Sequence, residues 1–215
     1  MSPSVSSLTT TGRVFWLFGM SGAGKTTLAR RLGSHLRTME RPVLMLDGDQ
    51  LREGVCRDLG FSDGARQENI RRASEIARLA SAQGYVVVAA FITPLNIFRD
   101  LAREIIGDQH LDLIWVDAPL EICQQRDPKG LYSAHQEGKV QRMTGLDSVF
   151  EEPTQPGLRL RTADQTVEQS LQDLVMFCRR RLGSEAPHQR PEPSLTHIGP
   201  ATAPELLPPT GTAGG

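Results

Sequence analysis

The sequence predicts an α/β fold: a P-loop-type three-layer α/β/α sandwich with a mostly parallel five-stranded sheet and a mobile lid. Three observations predict it. The apolar run Val14-Phe15-Trp16-Leu17-Phe18 leads into Gly19-Met20-Ser21-Gly22-Ala23-Gly24-Lys25-Thr26 and then into a helical period. Further short apolar runs alternate with amphipathic stretches as far as about residue 182, the alternation expected of a parallel sheet covered by helices. Two of those runs end in carboxylates, at Asp47-Gly48-Asp49 and at Asp117, where open α/β sheets bind ligands.

The first run is β-branched or aromatic and continuously apolar, as suits a strand buried on both faces. The glycines at 19, 22 and 24 let the backbone fold back so that successive N–H groups converge, and the following helix adds the positive end of its dipole. That helix is marked by Leu28, Ala29, Leu32, His35 and Leu36. The loop matches Gly-x-x-x-x-Gly-Lys-[Ser/Thr] between a strand and a helix, so residues 19–27, Gly19, Met20, Ser21, Gly22, Ala23, Gly24, Lys25, Thr26 and Thr27, are expected to hold a polyphosphate. In loops of this type the lysine reaches the β- and γ-phosphates and the hydroxyl of Thr26 ligates Mg²⁺.

The second strand, 43–46, follows the Arg41-Pro42 break and ends at Asp47 and Asp49, two carboxylates facing the same crevice as the loop. A turn with a helix cap is the purely structural alternative for that Asp-Gly-Asp. A connection over 51–64 carries Arg52, Arg57 and the turn Leu59-Gly60-Phe61-Ser62-Asp63-Gly64. The helix over 65–83 turns Ile70, Ala73, Ile76, Ala77 and Ala80 inward, with Arg66 and Asn69 on one face near its start. Arg71 with Glu75, and Arg72 with Glu68, have i,i+4 spacing for solvated ion pairs.

The third strand, 85–90, runs into Phe91-Ile92-Thr93-Pro94, and the proline suits the first turn of a helix through about 106. The fourth, 111–116, ends at Asp117-Ala118-Pro119, where another helix starts. From about 126 to 157 the period is lost, and a stretch of that length inside a compact domain reads as a lid. A short strand at 158–160 and a helix from Thr166 close the domain. Thr166 and Gln169 have capping-box spacing, and Val167, Leu171, Leu174, Val175 and Cys178 form one apolar face. Residues 1–12 and the Pro- and Gly-rich 183–215 are expected to be disordered tails.

Of 215 residues, 24 are Lys or Arg and 25 are Asp or Glu, a net charge of −1 that argues against a general nucleic-acid or membrane-surface binder. The three cysteines, Cys56, Cys123 and Cys178, are far apart and read as reduced thiols in a cytoplasmic protein. No window approaches the roughly 18 apolar residues of a membrane span, and the Ser/Thr-rich start is unlike a signal peptide.

The motifs in order carry a resemblance. The loop extended through Thr27-Leu28-Ala29, then Leu46-Asp47-Gly48-Asp49-x-Leu51-Arg52, then Leu59-Gly60-Phe61-Ser62 with Arg66-Gln67-Glu68-Asn69-Ile70-Arg71-Arg72, resemble the adenylylsulfate kinase family. So do Val116-Asp117-Ala118-Pro119-Leu120-Glu121, Arg126-Asp127-Pro128-Lys129-Gly130-Leu131-Tyr132 and the lid segment Thr144-Gly145-Leu146-Asp147-Ser148-Val149-Phe150-Glu151. The resemblance covers residues 13–182 and implies transfer of the γ-phosphate of ATP to the 3′-hydroxyl of adenosine 5′-phosphosulfate. It further implies that Arg52, Arg66 and Asn69 hold the phosphosulfate and sugar, that Phe61 and Phe150 clamp the adenine, and that Ile92 and Thr93 belong to the acceptor site. Arg126 would lie over the ATP adenine. Guanidinium groups and flat apolar faces are what such an acceptor requires.

In catalysis, Mg²⁺ held through Thr26, and through water on Asp47 or Asp49, would bridge the phosphates. Lys25 would draw charge from the transferring group and Lys129 would approach from the lid. Asp49 is the choice for the group that accepts or orients the 3′-hydroxyl proton. The chain departs from the family pattern at Thr93, usually serine, and at Leu95-Asn96, often Tyr-Arg, with Arg99 and Arg103 following. A same-fold kinase for another small metabolite or nucleotide is one rival, and a nucleotide-dependent switch is another. Homodimer or monomer is left open by the sequence.

Overall fold

In the computed structural model, which describes residues 12–183, the most apolar strand is the central one. β1 (Val14–Phe18) is buried at every position, and its side chains alternate between two cores. Phe15 and Leu17 share one core with Leu28, Leu32 and Leu36 of α1 (Lys25–Thr38) and with Leu174 and Cys178 of α7 (Val167–Leu182). Val14, Trp16 and Phe18 share the other with Ile70, Ala73 and Ala77 of α3 (Asp63–Ala82) and Phe98 and Ala102 of α4 (Asn96–Ile106). Cys178 is thus a core thiol, as its place on the helical stripe predicts.

The strands β2 (Val43–Asp47), β3 (Val86–Phe91), β4 (Leu111–Asp117) and β5 (Leu158–Arg161) complete a sheet of order β2-β3-β1-β4-β5. Every pairing is parallel, so all five carboxyl ends lie on one edge. There Phe18 is in register with Phe91 and Trp115, and Asp47 with Ala90. The chain leaves β1 toward β2 and leaves β3 toward β4, which opens the crevice between the ends of β1 and β3. Three short helices border that edge: α2 (Gly48–Glu53), α5 (Leu120–Arg126) and α6 (Leu131–Gln136).

Several local expectations change in the folded chain. The connection over 51–64 begins as helix α2, because Asp47 caps it by accepting the amide of Asp49 at 3.0 Å. Arg71 does not pair with Glu75. It turns to Glu68 at 2.7 Å, whose second oxygen takes Arg72 at 2.9 Å, while Glu75 pairs with Arg78. One carboxylate between two guanidiniums offers both an ideal acceptor geometry. Arg72 also reaches Asp58 at 2.7 Å.

α4 starts at Asn96 and not at Pro94, since residue 95 is extended and the carbonyls of Pro94 and Leu95 accept from Arg99. The stretch 126–157 is not shapeless: it contains α6, with Tyr132, Met143 and Thr144 buried and a bridge between Thr144 and Ser148. Gly12, expected in the tail, donates its amide to Ser81 O at 2.8 Å. The expectations for residues 1–11 and 184–215 lie outside the described residues.

Candidate active site

The helix that follows the glycine loop starts unlike α3 and α7. α3 is capped by Ser62 and α7 by Thr166, the latter with both bonds of the capping box. α1 has Gly24 at its N-cap, no capping side chain and no acidic residue in its first turn. Its first amides, which like those of any helix have no intrahelical acceptor, therefore have no capping side chain either, and an anion suits them.

The loop is shaped for that purpose from behind. Tyr132 donates its hydroxyl to Ser21 O at 3.0 Å, Thr162 donates to Ala23 O at 2.9 Å, and Lys25 donates to Met20 O at 2.7 Å. Arg126 holds Thr162 through its hydroxyl at 3.1 Å and its carbonyl at 2.5 Å. Tyr132 and Thr162 were not singled out by residue type; the position of Thr162 just beyond a parallel strand is the signal that marks it.

Close backbone approach excludes a side chain at two points of the loop. Gly19 has φ +151 and a Cβ there would lie 2.2 Å from Val116 O; Gly22 has φ +79 and a Cβ would lie 2.6 Å from Cys123 O. Gly22→Ala is expected to lower stability by about 1–3 kcal/mol and to weaken nucleotide binding, read as a fall in melting temperature and a raised Kd for an ATP analogue.

On the acidic side of the loop, Thr26 donates its hydroxyl to Asp47 at 2.8 Å, and Asp49 pairs with Lys129. The donors at this point are all oxygen, suited to a hard divalent cation. Among the described residues no group of three or more His, Cys, Asp or Glu could hold a metal unaided, so such an ion would complete its shell with phosphate and water. Asp47 is spent on Thr26 and on the amide of Asp49, whereas the Asp49 side chain is exposed.

A cavity of about 580 Å³ unites these groups with the acceptor set. It is lined by residues 21–28, Asp47 and Asp49, and across from them by Arg52, Phe61, Arg66, Asn69, Ile92 and Thr93, with Arg126 and Lys129 at its border. Gly19 and Met20, at the start of the loop, do not line it, and Met20 borders a second cavity instead. Phe150 does not line the first cavity either: its ring stacks on Trp115 with centroids 6.5 Å apart and borders that second cavity, of about 430 Å³. The structure therefore does not bring the two expected clamp rings together.

Phe61 is 59% exposed, which removes core anchoring as its role. Arg52 lies over its ring at 4.5 Å and donates to Leu59 O and Gly60 O at 3.1 and 2.9 Å, so it holds the turn that presents the ring. Arg66 donates to Phe61 O at 3.1 Å, to the hydroxyl of Thr144 at 2.5 Å and to Arg142 O, reaching across to the lid. Burial lowers the pKa of both guanidiniums, a cost that an anion offsets.

Asn69 is buried, and its Oδ1 has no partner among the described residues. Thr93 is buried with φ 42, an unusual backbone for a β-branched residue, and accepts from Trp16 Nε1 at 2.9 Å. Arg99 and Arg103, the cations after the Leu95-Asn96 departure, do not enter the cavity. Arg103 pairs with Asp100 and Asp108.

The adenylylsulphate kinase family model matches residues 11–161 of this chain. The chain belongs to the adenylylsulfate kinase family. It is 44% identical over 169 residues to the adenylyl-sulfate kinase of Aeromonas hydrophila, covering 79% of this chain and 86% of that one. To the adenylyl-sulfate kinase of Pseudomonas aeruginosa it is 42% identical over 164 residues, 76% of this chain and 84% of the other. Its fold superposes on Mycobacterium tuberculosis APS kinase CysC, solved in complex with AMPPNP and APS, with TM-score 0.75 and 36% identity over 78% of this chain and 98% of that one.

The ammonium of this kinase's loop has a distinctive titration. Burial, with Lys129 nearby, pushes the Lys25 pKa from 10.5 down to about 8. A triphosphate beside it favours the charged form and raises that pKa again. Nucleotide binding at pH 9 is thus expected to take up close to one proton, and at pH 6.5 none through this group, with affinity falling as pH rises past 8. Titration calorimetry in two buffers of different ionisation enthalpy measures both.

Proposed function

We propose that this kinase transfers the γ-phosphate of ATP to the 3′-hydroxyl of adenosine 5′-phosphosulfate, giving 3′-phosphoadenosine 5′-phosphosulfate and ADP. One observation carries the reading: a single cavity joins an uncapped phosphate loop to a second set of two arginines, an exposed aromatic ring and an unpartnered buried amide. A nucleotide switch has no use for that second set. The relative solved with AMPPNP and APS together supports the same pair of ligands.

In this reading the loop amides, Lys25 and Thr27 grip the triphosphate, and Arg126 lies at its adenine. Thr26 would hold Mg²⁺ directly and Asp47 through water, and the ion would supply charge neutralisation to the phosphates. Arg52 and Arg66 take the phosphosulfate, Asn69 the sugar, and Ile92 and Thr93 form the wall beside it. Asp49 orients the 3′-hydroxyl and accepts its proton, and Lys129, paired with Asp49 in the structure, offsets charge on the transferring group. Residues 126–157 act as the lid: Arg66 exchanges its bonds to Arg142 and Thr144 for the ligand anion, and Phe150 leaves Trp115 to cover the adenine opposite Phe61.

A cytoplasmic setting suits Cys56, Cys123 and Cys178, all free and buried. Among the described residues no helix is long and apolar enough to cross a membrane.

The test is a panel of acceptors offered to the purified chain with ATP and Mg²⁺: adenylylsulfate, nucleoside monophosphates and sugar acids. Preference for adenylylsulfate is expected. Preference for another acceptor overturns the substrate, and absence of any phosphoryl transfer overturns the reaction.

A further inference from the structure

Arg99 is the largest buried cation whose charge the site does not use. It is 1% exposed and makes no ion pair among the described residues. Its guanidinium donates to three main-chain carbonyls: Leu95 O at 3.3 Å, Pro94 O at 3.0 Å and Glu151 O at 2.6 Å. It also lies over the rings of Phe18 at 4.9 Å and Phe150 at 5.7 Å. The carboxylates of Glu151 and Asp100 attract it without touching it; burying a cation without a direct ion pair is unfavourable, so carbonyls and ring faces take the place of that contact.

The far end of this contact returns it. Glu151 donates its amide to Pro94 O at 2.9 Å, and its carboxylate accepts the amide of Asn96 at 2.6 Å. That second bond caps α4, whose own N-cap residue, Leu95, has no side-chain acceptor. Residues 94–96, directly after the cavity wall, are therefore tied to residue 151, directly after Phe150. On one side of the tie stands Thr93 with its strained φ, and on the other the ring expected to close over the acceptor.

We propose that Arg99 and Glu151 form a strap that positions both the Thr93-Pro94 wall and Phe150 for the acceptor, and so set acceptor affinity without touching the ligand. The inference rests on the proposed function, and it assigns both residues as positioning residues. The phosphate loop is braced by a different scaffold, Tyr132 and Thr162, and the strap makes no bond to that scaffold. Only a planar fork reaches three carbonyls on diverging lines, so lysine is not equivalent to Arg99.

The experiment compares Arg99→Met, Arg99→Lys and Glu151→Ala with the parent full-length chain. The parent is assayed first, with the acceptor that the panel identifies, so a wrong substrate shows in the parent and a wrong strap only in the variants. Arg99→Met and Glu151→Ala are each expected to raise KM for the acceptor roughly tenfold, the scale of losing a charge-assisted hydrogen bond, with KM for ATP within about twofold. Arg99→Lys should lie nearer Met than the parent. Trp115, against which Phe150 stacks, reports the same event: the acceptor-induced change in its fluorescence should shift to higher acceptor concentration in the variants. Should Arg99→Met not fold, Glu151→Ala, which leaves the buried cation in place, reads the same split. Equal rises in both KM values, or a lower kcat with both KM values unchanged, overturns the strap.

Discussion

Replacing Asp49 by asparagine is expected to slow turnover by about 10²- to 10⁴-fold, the usual worth of general-base help, while ATP affinity changes by only about twofold to threefold. The geometry separates the two acidic residues at the end of β2. Asp47 accepts from Thr26 at 2.8 Å and from the amide of Asp49 at 3.0 Å, which commits it to the loop and to the start of α2. The Asp49 carboxylate has one protein partner among the described residues, the amine of Lys129, and its side chain is 63% exposed at the cavity. Asparagine keeps the shape and cannot take a proton. Loss of an exposed ion pair costs at most about 1 kcal/mol, so the variant should melt close to the parent. Rapid-quench single turnovers alongside calorimetric ATP titration separate the two effects, and unimpaired phosphoryl transfer would remove Asp49 from the role.

Lys25→Met is expected to lower kcat by roughly 10²- to 10³-fold, the scale of removing one preorganised donor from a developing anion, without lowering the melting temperature at pH 7. The second half follows from linkage. The folded pKa of about 8 lies below the ordinary 10.5, so the unfolded chain binds more protons across that interval and stability rises with pH through it. Below pH 8 the buried ammonium carries its full penalty, on the order of 3 kcal/mol; above about pH 10.5 none remains. Methionine keeps the stem and removes the charge. The variant should therefore be as stable as the parent or more so at neutral pH, and should lose the parent's gain between pH 8 and 10. A melting temperature far below the parent's at pH 7 would instead make the ammonium a structural group.

Much of this was readable from short-range pattern. β1 is apolar at five consecutive positions, and it lies at the sheet centre with side chains in both cores. Thr166 and Gln169 form both bonds of the capping box their spacing predicts. Helix periods, caps and glycine turns involve residues within about four of one another, so composition and spacing decide them before any tertiary contact exists. The acidic turn after β2 belongs here too, since a parallel strand's carboxyl end faces the crevice whatever surrounds it.

What only the folded chain decided are partnerships across long intervals of sequence. Glu151 caps α4 from 55 residues away, Arg66 meets Thr144 from 78, and Lys129 meets Asp49 from 80. The ring of Phe150 rests on Trp115, and Arg99, one of two cations following the Leu95-Asn96 departure, is buried outside the cavity lining. A side chain's type states what it can bind but not which of several compatible groups will stand within 3 Å of it. That choice belongs to packing, because a buried charge or amide takes the partner that the converging elements leave in reach.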